Sequence, residues 1–364
     1  MMNDISIIFD NVIFSLQRAG GISLYWYELL KGTSENYKNV THVTYKGEID
    51  NLYHSQLTRL NASSLYEKFP IEVVRFLPYR GKINTPAIFH SSYFRYCYNA
   101  KVANIITVYD LTYEKYLNSF LRKPHLWQRR SSLRKAEGII CISESTKSDL
   151  VTLYPEVAHK KIKVIPLGVS DSFCITKGEL INGDINEILY RNYALYIGSR
   201  ASYKNFDVAV DAVEAIPDLN LLIVGGGELS NHEIIELERK LKKRYFHVQG
   251  INEYDLNILY NNAFCLLYPS SYEGFGLPLL EAMSAGCPVI SVNISSIPEV
   301  CGAAALLIEE PTAELAIDKL IELRNGKFRE AIISKGINRA KKFNWSRCVE
   351  QTHSFYSQIF NKNF

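Results

Sequence analysis

The sequence runs to 364 residues, 47% of them apolar and 22% charged, with a net charge of +3. That length exceeds what one hydrophobic core usually organises and predicts two domains, and the composition is that of a soluble globular chain, not a disordered one. The charge balance is too weak for a dedicated nucleic-acid binder, which carries a dense basic stripe, so no nucleic-acid partner is expected.

The opening Met1–Ser6 has neither the basic n-region nor the apolar h-region of a secretory leader. No apolar run reaches the ~18–20 residues that span a bilayer. The seven cysteines are scattered, odd in number and never in a C-x-x-C pair. They read as reduced, mostly buried thiols, neither disulfides nor zinc ligands, and the expected location is cytoplasmic. The 24 tyrosines and 17 phenylalanines fit either large core contacts or sugar-stacking surfaces.

Short apolar runs alternate with helical patterns, the signature of parallel sheets covered by helices. The first half offers strands at Ile5–Phe9, Val40–Tyr45, Ile71–Phe76, Ala87–Phe89, Ile105–Tyr109 and Gly138–Ile142, closing with Lys163–Ile165. Helices are expected at Ile22–Leu30 and Leu117–Lys135. Residues 171–191 lose periodicity and carry turn formers, which suits a linker. A second alternation follows, with strands at Tyr193–Ile197, Leu219–Val224, Phe246–Val248, Phe264–Tyr268, Val289–Val292 and Ala305–Ile308. Its helices fall near Phe206–Ile216, Glu233–Lys242, Glu253–Asn261, Pro278–Ser284 and Ala313–Arg324, and the last stretch is helical through Phe360. The reading is α/β: two Rossmann-like doubly wound domains, 1–170 and 192–343, with 344–364 as a terminal helix. In such sheets ligands bind at the carboxyl ends of strands, and the expected place for chemistry is a cleft between the domains.

The densest group of signals is Glu273-Gly274-Phe275-Gly276-Leu277-Pro278, then Glu281. It follows an apolar strand and enters a helix, where Pro278 suits the first turn. The amides of Phe275, Gly276 and Leu277 would form an anion-friendly helix start, and Gly274 and Gly276 allow close approach of a ligand. A carboxylate accepts hydrogen bonds from vicinal hydroxyls, of a sugar at Glu273 and of a ribose at Glu281. The bland alternative is that Glu281 answers the helix dipole and Glu273 is a solvated loop acid.

Gly198-Ser199-Arg200 and Lys204-Asn205 lie at another strand-to-helix turn, where Arg as a fork and Lys as a point charge both suit a diphosphate, and Asn205 suits the next N-cap. Gly225-Gly226-Gly227 follows a strand but has Ser230 where a dinucleotide fingerprint needs its third glycine, so Gly226 reads as part of a tight turn lining the donor site. In the first half, Gly20-Gly21 opens a helix and suits backbone contact with phosphate or acceptor. Asp110 ends a strand and either caps a turn or acts on substrate, and His90 carries the same ambiguity. The 117–135 helix interleaves cations with Phe120, Leu121, Leu126 and Trp127. That pattern fits an anionic membrane surface or a solvated face.

Together these residues resemble glycosyltransferase family four, retaining enzymes of GT-B fold. The E-x7-E pair is Glu273 and Glu281 around G-F-G-L-P. Gly20-Gly21, Ser143–Lys147, Pro166–Val169 and the Trp345 segment follow in the family's order. The resemblance implies that Arg200 and Lys204 hold the donor diphosphate, that Glu281 binds the ribose and Glu273 the transferred sugar, and that Ile251 meets the base through its backbone. It also implies that the terminal helix crosses back onto the first domain. Many members have a His where this chain has Tyr109, and a phenol carries no positive charge at neutral pH. The expected reaction is metal-independent transfer of a hexose, mannose from GDP-mannose first, to a saccharide or lipid-linked oligosaccharide acceptor in surface-polysaccharide synthesis. No cofactor is expected. Alternatives are a UDP-sugar transferase, a GT-B epimerase, a non-catalytic donor-binding module and a nicotinamide dehydrogenase.

Overall fold

A computed structural model of the chain describes residues 5–46, 51–57, 60, 62–116, 122–178 and 183–364. They form two compact units, Met1–Gly168 joined by Trp345–Phe364, and Val169–Asn344.

In the first unit seven parallel strands follow one another in sequence: β1 (Ser6–Asp10), β2 (Val40–Lys46), β3 (Ser63–Pro70), β4 (Ala87–Ser91), β5 (Val102–Val108), β6 (Gly138–Cys141) and β7 (Lys161–Val164). Their order across the sheet is β3-β2-β1-β4-β5-β6-β7. Strands β4, β5 and β6 are buried along their whole lengths, which is why they read as unbroken apolar runs. The helix Glu144–Leu153 starts where Ser143 Oγ accepts the Thr146 amide at 2.9 Å.

The terminal helix Trp345–Asn363 buries Trp345, Cys348, Val349, Thr352, Phe355, Tyr356 and Ile359, a stripe at helical spacing. It packs on the helix Gly21–Asn36 and on β4 and β5. His353 Nε2 lies 2.9 Å from Thr33 Oγ1, and its ring meets Tyr37 edge-on at 4.8 Å.

The second unit holds six parallel strands: β8 (Tyr193–Ile197), β9 (Asn220–Val224), β10 (Tyr245–Val248), β11 (Cys265–Tyr268), β12 (Val289–Val292) and β13 (Leu306–Ile308). Their order is β10-β9-β8-β11-β12-β13. One core joins Leu221, Ile223, Leu267 and Ile290 of the sheet to Val213, Leu237 and Leu320 of the helices. No helix among the described residues is long and apolar enough to cross a membrane.

Two expectations fail for physical reasons. The run Ile71–Phe76 is not a strand; Ile71–Val74 is a helical turn, and the strand is the preceding Ser63–Pro70. That strand lies at the sheet's edge, where polar and charged residues are tolerated and the apolar signal is lost. The proposed linker, where described, belongs to the second unit. The Cys174 amide donates to Asn257 Oδ1 at 3.1 Å and the Thr176 amide to Asn261 Oδ1 at 2.9 Å, and Gly183–Tyr190 forms a 3-10 helix. The basic helix is described from Arg122 to Lys135; residues 117–121 of that expectation lie outside the described residues.

Candidate functional site

In the second unit the strand order turns back between β8 and β11, and the loops leaving these strands are laced together. An open parallel sheet binds ligands at such a point. The β8 loop ends in a turn at Ser202–Lys204, after which Asn205 takes a left-handed conformation with φ 48°. Asn205 therefore does not cap the following helix as expected. Its Nδ2 donates instead to the Pro269 carbonyl at 2.8 Å and to Ser271 Oγ at 2.7 Å, while the Ser271 amide donates to the Tyr203 carbonyl at 2.7 Å.

Across this seam Lys204 Nζ pairs with the Glu273 carboxylate, with the two side chains only 14% and 12% exposed. Tyr268 Oη accepts from the same ammonium at 3.4 Å. Burial and the Glu273 charge hold the Tyr268 phenol well above its usual pKa. Glu273 is fixed from behind: the hydroxyls of Ser295 and Ser296 donate to its carbonyl at 2.5 and 2.9 Å, and Ser296 also donates to the Phe275 carbonyl at 3.0 Å.

The helix Leu277–Ser284 begins directly after this loop, with Pro278 in its first turn and Gly276 at its N-cap. Gly276 has φ 98°, and a Cβ there would stand 2.7 Å from Leu279 Cδ1, so only glycine fits. The amides of Phe275, Gly276 and Leu277 thus stand at the positive end of the helix. Gly274 lies between this start and Glu273. Glu281 lies one turn in, where Tyr260 Oη donates to Oε2 at 3.0 Å. Burial pushes the Glu281 carboxyl up to about 7, against the lowering effect of that hydrogen bond. Glu281 is thus a half-buried, hydrogen-bonded acid and not a simple dipole cap.

Arg200 is placed otherwise than a diphosphate fork requires. Its Nε donates to Glu233 Oε1 at 2.6 Å, Nη1 to the Gly225 carbonyl at 3.2 Å, and Nη2 to the carbonyls of Gly227 and Glu228 at 3.1 and 2.7 Å. Three of these hydrogen bonds hold the glycine turn after β9, and the fourth ties Arg200 to Glu233. Glu233 is itself fixed in a capping box with Ser230. Gly226 lies beneath the guanidinium: at φ 79°, its Cβ would come within 2.5 Å of both Arg200 Nη1 and the Gly198 carbonyl. Ile251 sits in the loop after β10, just ahead of Asn252, which caps the helix Glu253–Asn262 by accepting the Asp255 amide at 2.8 Å.

The first unit carries the other expected residues. Gly20 and Gly21 open the helix Gly21–Asn36 with no side-chain cap. Asp110 follows β5 and caps a turn, its Oδ1 accepting the Thr112 amide at 3.0 Å. Of the two readings open for His90, its surroundings favour the structural one. It is fully buried between Tyr356 Oη and Thr107 Oγ1, edge-on to the Trp26 indole, and burial pushes its pKa down to about 3. Tyr109 packs its ring edge-on against Tyr25 at 5.6 Å, and its hydroxyl is buried with no hydrogen-bond partner among the described residues. Both residues belong to the core beneath the terminal helix.

Sequence reasoning passed over Tyr268, Tyr260, Ser295, Ser296 and Glu233. Tyr268 was legible as the last residue of an apolar strand with a polar tip. The serines carried no signal, because they act from the next βα loop, more than twenty positions from Glu273.

Residues 19–173 match the model for glycosyltransferase family 4, and residues 182–339 the model for glycosyl transferases group 1. The O-antigen chain mannosyltransferase B of Escherichia coli is 30% identical over 63% of this chain and 62% of its own length. The O-antigen chain mannosyltransferase RfbU of Salmonella typhimurium is 31% identical over 60% of this chain and 61% of its own. The chain thus spans about three fifths of the length of these curated relatives. Among solved structures, the sucrose-phosphate synthase of Thermosynechococcus elongatus superposes with a TM-score of 0.75 at 20% identity, over 98% of this chain and all of that one. That likeness fixes the fold as GT-B.

Proposed function

The chain belongs to the glycosyltransferases whose two models match its halves, and from that premise we propose that it moves a hexose from a nucleoside-diphosphate sugar to a saccharide acceptor with retention of anomeric configuration. The observation that carries the proposal is the Lys204–Glu273 pair across the switch point of the second sheet, beside the helix start at Phe275–Leu277.

The chemistry follows from that placement. As the anomeric C–O bond breaks, negative charge gathers on the departing diphosphate. The Lys204 ammonium and the amides at the helix start are the fixed positive ends to meet it, and preorganised charge is usually the largest catalytic term. The acceptor oxygen attacks from the face the diphosphate leaves, and a diphosphate oxygen takes the acceptor's proton. Glu273, held by Ser295 and Ser296, receives hydroxyls of the transferred sugar, and Glu281 those of the ribose. Ile251 meets the base through its backbone. Arg200 serves as a positioning residue that shapes the glycine turn of Gly226, and Gly198 follows the strand β8 beside it. In the first unit, Asp110 is assigned to the reaction, and Gly20 and Gly21 to backbone contact with the donor.

Mannose from GDP-mannose is the donor assigned here, supported by the two mannosyltransferase relatives. Thermal-shift titration against GDP-, UDP-, dTDP- and ADP-sugars tests it, since a ligand of the native state raises the midpoint by mass action. The largest shift is expected with GDP-mannose, and no shift with any sugar nucleotide sinks the reading. The acceptor is assigned as lipid-linked, with the protein working at the cytoplasmic membrane face through the helix Arg122–Lys135. There Trp127 is 67% exposed and Lys123, Arg134 and Lys135 lie on the surface. Arg129 leaves this basic face, because it is buried against Glu114, and Arg130 pairs with Glu156 at 2.5 Å. Failure to co-sediment with phosphatidylglycerol vesicles at low salt removes the membrane assignment.

A further inference from the structure

The first unit holds a second cluster of charge that the reading above does not use. Arg75 ends the short helix Ile71–Val74, half-buried, with its guanidinium over the Phe76 ring at 4.6 Å and 5.9 Å from the Tyr93 ring. Its Nε–H is buried and has no hydrogen-bond partner. Gln128, 3% exposed, donates through Nε2 to the Arg75 carbonyl, which leaves its Oε1 buried and unpaired. Arg129, also 3% exposed, pairs with both oxygens of Glu114 at 2.8 and 2.7 Å, yet its Nε–H is a third buried orphan. His125 joins the group: Nδ1 lies 2.9 Å from Tyr93 Oη, and Nε2 lies 3.2 Å from Arg129. Burial and the two arginines push its pKa down to about 3, so it is neutral and adds no charge of its own.

The charges decide what such a cluster wants. Glu114 is fully engaged, by Arg129 and by the Tyr154 hydroxyl at 2.6 Å. The Asp110 carboxylate lies near Tyr93 and is committed to the Thr112 amide. Among the described residues Arg75 has no carboxylate partner, and buried donors without acceptors are costly and rare in native proteins. An acceptor group carrying negative charge would answer Arg75 with charge-assisted hydrogen bonds. Tyr113 stacks on the His125 ring at 4.0 Å and is 40% exposed, a flat face beside the cluster on which a sugar ring can lie.

We propose that Arg75, framed by Tyr93, His125 and Gln128, is the subsite that receives an anionic group of the acceptor, a phosphate ester or a sugar carboxylate. It rests on the transferase reading and adds to it the charge of the acceptor. No covalent step takes place there; Arg75 is a specificity-determining residue.

Calorimetric titration of the full chain with phenyl phosphate, benzoate and neutral benzyl alcohol tests the site, in a Lys204→Met background so that binding near the donor loops does not mask it. One of the two anions is expected to bind and the alcohol not. Adding Arg75→Met should weaken that anion roughly tenfold or more, the loss of one charge-assisted hydrogen bond, while Arg75→Lys keeps part of it. Binding of phenyl phosphate alone identifies a phosphate-bearing acceptor, and of benzoate alone an acidic sugar. If neither anion binds, or Arg75→Met changes nothing, the proposal is overturned. In the wild-type background, Arg75→Met should leave the thermal shift by sugar nucleotides unchanged. A protein that binds no sugar nucleotide at all sinks the transferase reading instead, so the two failures are distinct.

Discussion

Replacing Lys204 by Met keeps most of the side chain's length and removes its charge. The variant leaves the Glu273 carboxylate, 12% exposed, beside a Tyr268 phenol that is no substitute for an ammonium. Stranding one member of a largely buried pair costs about 3–5 kcal/mol when burial is complete. The pair's partial exposure brings that to about 1–2 kcal/mol, a fall of roughly 2–8 °C in the melting midpoint for a unit of this size. The activity loss is of a different order: removing one preorganised charge aimed at a developing anion costs about 10²–10³ in turnover. The double variant Lys204→Met/Glu273→Gln should regain most of the lost stability, because no charge is stranded, and none of the activity. Calorimetric scanning gives the first quantity, and chromatographic release of nucleoside diphosphate at saturating sugar nucleotide gives the second. A folded Lys204→Met protein with turnover within threefold of wild type would falsify the placement of Lys204 at the departing diphosphate.

Other outcomes follow from single contacts. Gly226→Ala puts a methyl group into the Arg200 guanidinium and the Gly198 carbonyl at a positive φ. It should destabilise the second unit by about 1–3 kcal/mol and weaken sugar-nucleotide binding, both read in a melting titration. Glu281 bears on pH. With its native pKa up near 7 and its unfolded one in the ordinary carboxyl range, the native state binds the extra proton between those values. That group's stabilisation is therefore complete below the unfolded pKa and declines as pH rises towards 7. Glu281→Gln should flatten the decline in melting midpoint between pH 5 and 7.5, and an unchanged slope removes Glu281 as its source. Tyr109→Phe deletes a buried hydroxyl that has no partner. The melting midpoint should hold or rise, by up to about 1 kcal/mol in stability, with activity within twofold. A tenfold activity loss in the Tyr109→Phe variant restores Tyr109 to the site.

The strands at the centre of each sheet were legible because they are buried on both faces, and unbroken apolar runs such as Ile139-Ile140-Cys141 have few other readings. Edges were less legible: Ser63–Pro70 carries Glu67 and Lys68, and the strand was displaced onto the more apolar turn that follows it. At the site, Lys204, Glu273 and Glu281 could be marked because each follows a strand or opens a helix, positions at which a parallel sheet exposes polar groups to one edge. The roles of Arg200 and Asn205 were not legible in the same way. Both side chains turn to neighbouring loops, and pairings such as Arg200 with Glu233 or Asn205 with Ser271 depend on which strands are adjacent, a fact that local sequence does not carry. The surroundings of His90 and Tyr109 were hidden for a related reason. A polar residue at a strand's carboxyl end turns either to the crevice or under the covering helices, and the terminal helix that buries them lies more than two hundred residues away.

That helix also sets an order of events during synthesis. The second unit is continuous in sequence and can complete as soon as Asn344 has emerged, whereas the first unit waits for the last twenty residues before His353 reaches Thr33 and Tyr356 reaches His90. Of the two units, the one begun first is therefore finished second. Until residues 345–364 have emerged, the faces of β4, β5 and the Gly21–Asn36 helix that they cover stand open, which exposes the nascent first unit to aggregation and to chaperone capture.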